Sequence, residues 1–163
     1  MPTPAADLYW NVLFVCTGNT CRSPMAEAIA RGLLAERLGV EPSQLAEQKV
    51  VVRSAGVHAG DGAPASEEAV LEMHRQGLDL SQHRTQPLTV DLAQDADVIF
   101  TMTDRHRDWV VALLPRAADK TFRLDPQADV ADPVGQDATM YRHAARQIRQ
   151  AIEKRIDERY GSR

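Results

Sequence analysis

Apolar residues follow two rhythms along this chain, and the rhythms alternate. Unbroken runs such as Val12-Leu13-Phe14-Val15, Val50-Val51-Val52 and Val98-Ile99-Phe100 have the length and branching of buried strands. Between them, apolar positions recur every three or four residues, as on one face of a helix. The first run predicts a strand over Asn11–Val15. Ala26, Ile29, Ala30, Leu33 and Leu34 predict a helix from Pro24, with Ser23 as N-cap, Pro24 at the first helical position and Gly39 as the stop. Val40–Gln48 is a polar connection, and Lys49–Arg53 a second strand. Ser66–Gln76 reads as a helix with Ala69, Val70 and Met73 on one face and Gly77 after it. Leu88–Ala96 is a short helix and Asp97–Met102 a third strand. Asp104–Leu114 is a helix ended by Pro115, with Trp109, Val110, Leu113 and Leu114 as core. Lys120–Leu124, mixed in polarity, reads as an edge strand. In the long helix Thr139–Arg159, Tyr141, Ala145, Ile148, Ile152 and Ile156 form one stripe, with Arg146, Arg149, Lys154 and Arg155 on a solvated face.

Strands alternating with helices predict an α/β fold: one four-stranded parallel sheet with helices on both faces. Loops leaving the carboxyl ends of such strands converge, so the chemistry is expected there. There is no internal repeat or low-complexity tract. Residues 1–10 read as a flexible lead-in and 11–163 as a single domain.

Composition narrows the classes of function. With 163 residues, 44% hydrophobic and 26% charged, the chain has the make-up of an ordinary globule. A net charge of −4 argues against general binding of nucleic acid or anionic membranes, so an anionic substrate has to be held by local features. No apolar run approaches the length of a membrane span, and Met1–Trp10 lacks the basic start and apolar centre of a secretory signal. A cytoplasmic monomer is expected. The two cysteines, Cys16 and Cys21, form a Cys-x4-Cys pair without a second ligand pair, so neither metal nor cofactor is expected.

Those cysteines bracket the candidate chemistry. Cys16-Thr17-Gly18-Asn19-Thr20-Cys21-Arg22-Ser23 joins the first strand to the first helix. The N–H groups of such a loop lie at the positive end of the helix and suit a dianion such as phosphate. They would also stabilise a thiolate at Cys16, the form that attacks. Arg22, five residues further on, offers a planar fork to two oxygens of one phosphoryl group. Ser23 can give its hydroxyl to the Cys16 sulfur. Thr17, Gly18, Asn19, Thr20, Cys21 and Ser23 complete the candidate phosphate-binding loop. Asn19 tolerates a left-handed backbone. With Cys16 as nucleophile, Cys21 is a candidate redox partner that captures a sulfenic acid as a disulfide; the alternative is a small residue that merely fits. The loop after the fourth strand should pass near Cys16, and its candidate acids are Asp129 and Asp132.

Val15-Cys16-Thr17-Gly18-Asn19-Thr20-Cys21-Arg22-Ser23-Pro24-Met25-Ala26-Glu27 closely resembles the signature of low-molecular-weight protein tyrosine phosphatases. Its Thr-Gly-Asn-Thr-Cys-Arg form most resembles the bacterial protein-arginine-phosphatase branch. The likeness runs from about Asn11 to Glu158. It implies a strand order of 2-1-3-4. It implies a general acid at the Asp-Pro matched by Asp132-Pro133-Val134-Gly135, favouring Asp132 over Asp129. It implies that Ser54 bonds behind the loop, that His58 lies near the cleft mouth, and that His83 bonds the loop asparagine, Asn19. Thr101-Met102-Thr103-Asp104-Arg105-His106 also resembles the arginine branch, with no role attached to it. The implied reaction is hydrolysis of a phosphorylated protein side chain through a phosphocysteine.

Tyrosine-directed members tend to carry a branched apolar residue where Thr20 stands and aromatics after the Asp-Pro. Thr20 and Val134 therefore favour phosphoarginine, with phosphotyrosine as the alternative. The chain also departs from the arginine branch, since Val134 and His58 stand where aromatics would be familiar. Arsenate reductases of this fold use further cysteines outside the loop, and none follows Cys21. A non-catalytic phosphate-binding module would need neither Cys16 nor Asp132.

Overall fold

The computed structural model describes residues 9–162. Four strands, β1 (Trp10–Cys16), β2 (Val50–Gly56), β3 (Val98–Thr101) and β4 (Thr121–Arg123), form one parallel sheet in the order β2-β1-β3-β4. The predicted fold class and strand order both hold. Residues 1–8 of the expected lead-in lie outside the described residues. Trp10 belongs to β1 and pairs with Val50 of β2.

β1 sits between β2 and β3 and is buried along its length. Its side chains alternate between two cores, which is why its sequence reads as an unbroken apolar run. Val12, Phe14 and Cys16 face the larger core with Met25, Ile29 and Leu34 of α1 (Arg22–Leu38). α2 (Glu67–Arg75) adds Ala69 and Met73 to it, and α5 (Ala138–Tyr160) adds Ile148, Ile152 and Ile156. Leu13 and Val15 face a smaller core with Ala93 of α3 (Val90–Asp95) and Val110 of α4 (Asp104–Leu113). Helices thus cover both faces. Fully burying each of the large apolar side chains stabilises by about 1.5–3 kcal/mol.

Two expectations about the core are corrected. Trp109 is 45% exposed and Leu113 40% exposed. α4 turns His106 and Val110 inward, four residues apart, and Leu114 just beyond its end continues that row. Positions 109 and 113 lie one residue, about 100°, away from that row. Arg155 is not on a solvated face. Its guanidinium lies 5.0 Å from the Phe100 ring centroid and 5.8 Å from that of Phe122. It donates to the carbonyls of Leu124 (3.1 Å) and Arg123 (2.7 Å), so α5 clasps the exit of the edge strand β4. A flexible apolar stem lets a charged head reach across a sheet edge and lie on aromatic rings.

Candidate active site

The loop between β1 and α1 is shaped by Asn19, which is wholly buried with φ at 56°. Asparagine is among the few residues that adopt this left-handed conformation readily. All its polar atoms are engaged. Its Nδ2 donates to Ser23 Oγ and Ser54 Oγ, both at 2.9 Å. Its Oδ1 accepts from the Gln86 N–H at 2.9 Å, and its backbone N–H points at Cys16 Sγ at 3.3 Å. His83 Nε2 meets the Asn19 main-chain carbonyl at 2.8 Å, so His83 touches the asparagine's backbone rather than its amide. Ser54 Oγ passes the network on by donating to Glu27 Oε1 at 2.8 Å. Gly56 lets β2 lie this close: a Cβ there would meet the Thr17 carbonyl oxygen at 2.5 Å and the Asn19 nitrogen at 2.9 Å.

Ser23 is not the helix cap. α1 begins at Arg22, with Cys21 at the cap position and no side-chain cap bond. Pro24 falls within the first turn, where an absent N–H costs nothing. The Ser23 hydroxyl serves the sulfur instead, at 2.9 Å from Cys16 Sγ. Ser23 Oγ accepts from Asn19, and its single hydrogen is shared between this sulfur and the Ala55 carbonyl, which lies further off at 3.4 Å.

Arg22 is 5% exposed, and fixed contacts position its guanidinium. Nη1 donates to the Val130 carbonyl at 2.9 Å, and Nη2 to Thr17 Oγ1 at 3.4 Å. The same Nη2 lies 3.6 Å from Asp132 Oδ2. The Asp132 side chain is half-exposed. The loop after β4 therefore does pass the site. Asp129 is occupied elsewhere, accepting from Arg123 at 3.1 Å and from the Asp104 N–H at 3.0 Å. A sulfur approached by two donors, a guanidinium beside it and a half-exposed carboxylate suit attack on a phosphoryl group. Among the described residues, no cluster of three or more His, Cys, Asp or Glu is placed to hold a metal ion. No helix among them is long and apolar enough to cross a membrane.

The model of the family described as low molecular weight phosphotyrosine protein phosphatase matches residues 11–159. The chain belongs to that family. A protein-arginine-phosphatase of Geobacillus stearothermophilus is 37% identical over 150 residues, covering 89% of this chain and 93% of the relative. The solved low molecular weight protein tyrosine phosphatase of T. tengcongensis is 38% identical with a TM-score of 0.80, covering 90% of this chain and 97% of that one. A YwlE arginine phosphatase variant with a phosphorylated active-site serine matches at 34% identity and a TM-score of 0.80, covering 90% and 93%. Members of this family are cysteine-based phosphoprotein phosphatases, hence hydrolases.

Three sets of contacts in this candidate site escaped the sequence. Cys21 Sγ donates to Ser66 Oγ at 3.2 Å and lies 3.3 Å from the Tyr141 hydroxyl, and both cysteines are free thiols. Burial and the bond to Cys21 push the Tyr141 hydroxyl's pKa up to about 12. From the sequence alone Tyr141 reads simply as part of the α5 stripe. A signal was present, because a buried tyrosine needs a partner for its hydroxyl. Second, His106 is buried, with Nε2 2.8 Å from Thr17 Oγ1. It sits just past the exit of β3, next to the exit of β1, where the convergence of strand ends could have found it. Third, the exposed His58 lies edge-to-face on Trp109, ring centroids 4.8 Å apart, with its own N–H bonded to the Thr17 carbonyl at 2.9 Å. This pair forms a rim beside the loop. Val134, after the Asp-Pro, is 55% exposed.

Proposed function

We propose that this phosphatase hydrolyses phosphoarginine in proteins through a phosphocysteine at Cys16. The Cys16 thiolate attacks phosphorus in line, forming a sulfur–phosphorus bond as the phosphorus–nitrogen bond breaks. The loop N–H groups and Arg22 hold the equatorial oxygens. Asp132 gives its proton to the departing guanidine nitrogen. The Asp132 carboxylate then takes a proton from water, whose oxygen displaces the sulfur and releases inorganic phosphate. The phosphorylated serine of the related YwlE variant supports a covalent phosphoenzyme.

Overall identity does not choose the side chain, since relatives named for arginine and for tyrosine stand at 37% and 38%. The observation that carries the arginine reading is Thr20. It places a hydroxyl in the loop between the buried Asn19 and Cys21, where the tyrosine-directed pattern has a branched apolar group. Val134 puts no ring over the substrate, and Asp132 keeps a half-exposed carboxylate able to bond a guanidinium. Favouring tyrosine is the exposed Trp109–His58 rim, an aromatic surface for a phenol. The deciding measurement is kcat/KM on a phosphoarginine and a phosphotyrosine peptide, for wild type and Thr20→Ile. Arginine preference that moves toward tyrosine in Thr20→Ile is expected. Tyrosine preference unmoved by the substitution would overturn the assignment.

We also infer that Cys21 protects Cys16. Hydrogen peroxide oxidises the Cys16 thiolate to a sulfenic acid, and the Cys21 thiol then displaces water to form a disulfide. Cys21 has to leave Ser66 and Tyr141 to do so. A loss of two hydrogens by mass after peroxide, absent in Cys21→Ser, is expected; irreversible oxygen addition in the wild type instead would refute it.

A further inference from the structure

His106 is a buried imidazole that the reaction above does not use. It is 4% exposed, in the first turn of α4, where its own N–H bonds the capping Thr103 hydroxyl at 3.1 Å. One ring nitrogen, Nε2, lies 2.8 Å from Thr17 Oγ1. The other, Nδ1, is buried without a hydrogen-bond partner among the described residues. Burial, and then the Arg22 cation, push its pKa down to about 4, against the opposing pull of Asp129 and Asp132. The ring is therefore neutral at neutral pH and carries a single N–H.

That hydrogen has two places to sit. On Nδ1 it would be a buried donor without an acceptor, which native structures avoid more strictly than an unused lone pair. On Nε2 it has Thr17 Oγ1 as acceptor at 2.8 Å. Thr17 Oγ1 also accepts from Arg22 Nη2 at 3.4 Å. With both lone pairs engaged, the Thr17 hydroxyl can only donate, and its hydrogen must point away from both nitrogens. Thr17 is exposed, and Arg22 Nη2 is the same nitrogen that Asp132 approaches. That hydrogen is left for an acceptor on the open side of Thr17, beside Arg22.

We propose that His106 is a positioning residue whose Nε2–H, together with Arg22, commits the Thr17 hydroxyl to donate to a phosphoryl oxygen during transfer. It acts through Thr17 and never touches substrate. The proposal rests on the phosphatase reading but not on the choice between arginine and tyrosine.

The test uses p-nitrophenyl phosphate, with melting temperature recorded for every variant. His106→Phe keeps the ring volume and loses the donor; Thr17→Val keeps the shape and loses the hydroxyl. Each is expected to lower kcat about tenfold, the worth of one hydrogen bond to a charged group. The double variant should lose no more than either single one, because both remove the same bond to phosphate. His106→Gln, whose amide can donate to Thr17, should recover most of kcat. The proposal is overturned if the two losses multiply, if Thr17→Val keeps wild-type kcat, or if folded His106→Gln is as slow as His106→Phe. Wild-type protein that binds inorganic phosphate but turns over no aryl phosphate would instead sink the phosphatase reading, a separately visible failure.

Discussion

At Cys16 a single sulfur receives a backbone N–H from Asn19 and lies 2.9 Å from the hydroxyl of Ser23, nearer than the Ala55 carbonyl that shares the same hydrogen. In the proposed reaction those donors would stabilise charge on sulfur both when it attacks and when it leaves. Cys16→Ser should abolish turnover of an aryl phosphate, since an alcohol of ordinary acidity is a far poorer nucleophile than a thiolate. Asp132→Asn removes the proposed proton donor and later acceptor and should slow turnover by roughly two to four powers of ten. Wild-type rates in that variant would move the acid elsewhere, and Asp129, tied to Arg123 and the start of α4, is poorly placed to take over. His106 predicts a stability effect of definite sign. Its pKa falls from 6.5 to about 4 on folding, so the unfolded chain binds more protons between those values. Stability should therefore drop as pH falls through that window. Urea unfolding at pH 7 and at pH 4.5 should show a smaller acid loss in His106→Gln than in the wild type.

At the scale of elements, the loop is held by its neighbours as well as by its own Asn19. β2 contributes Ser54 and Gly56, the segment after α2 contributes His83 and Gln86, and α5 reaches Cys21 through Tyr141. Gly56→Ala would drive a methyl group into the Thr17 carbonyl, a backbone atom that cannot rotate aside. It should lower the melting temperature and weaken inorganic phosphate binding together, and unchanged phosphate affinity would show that the loop tolerates a shift of β2. Tyr141→Phe removes a hydroxyl shared by Cys21 and Ser66. A loss of about 1 kcal/mol in denaturant unfolding is expected, the usual net worth of a buried hydrogen bond.

Over the whole molecule, the two cores divide the labour. The larger one, under α1, α2 and α5, carries most of the large buried side chains and sets stability. The carboxyl ends of β1, β2 and β3 and the loop after β4 gather the candidate reacting groups. Ile148→Ala, deep under α5, should cost about 2–5 kcal/mol in unfolding while leaving kcat on an aryl phosphate near wild type in the folded fraction.

The α/β class, the number of strands and the Cys16–Arg22 loop were legible along the chain, because hydrophobic period and residue spacing are local properties. The sequence also pointed to the loop of Asp129 and Asp132, since strand ends in a parallel sheet converge, while the preference for Asp132 rested on the family resemblance. Partnership was not legible in this way. Whether Ser23 caps a helix or serves a sulfur, whether Trp109 is core or rim, and whether Arg155 faces water or lies on Phe100 depend on what packs alongside. Those neighbours come from residues far away in the chain. His106 shows the reason most plainly: it is an ordinary helix histidine until β3 lies beside β1 and brings it to Thr17, 89 residues away in sequence.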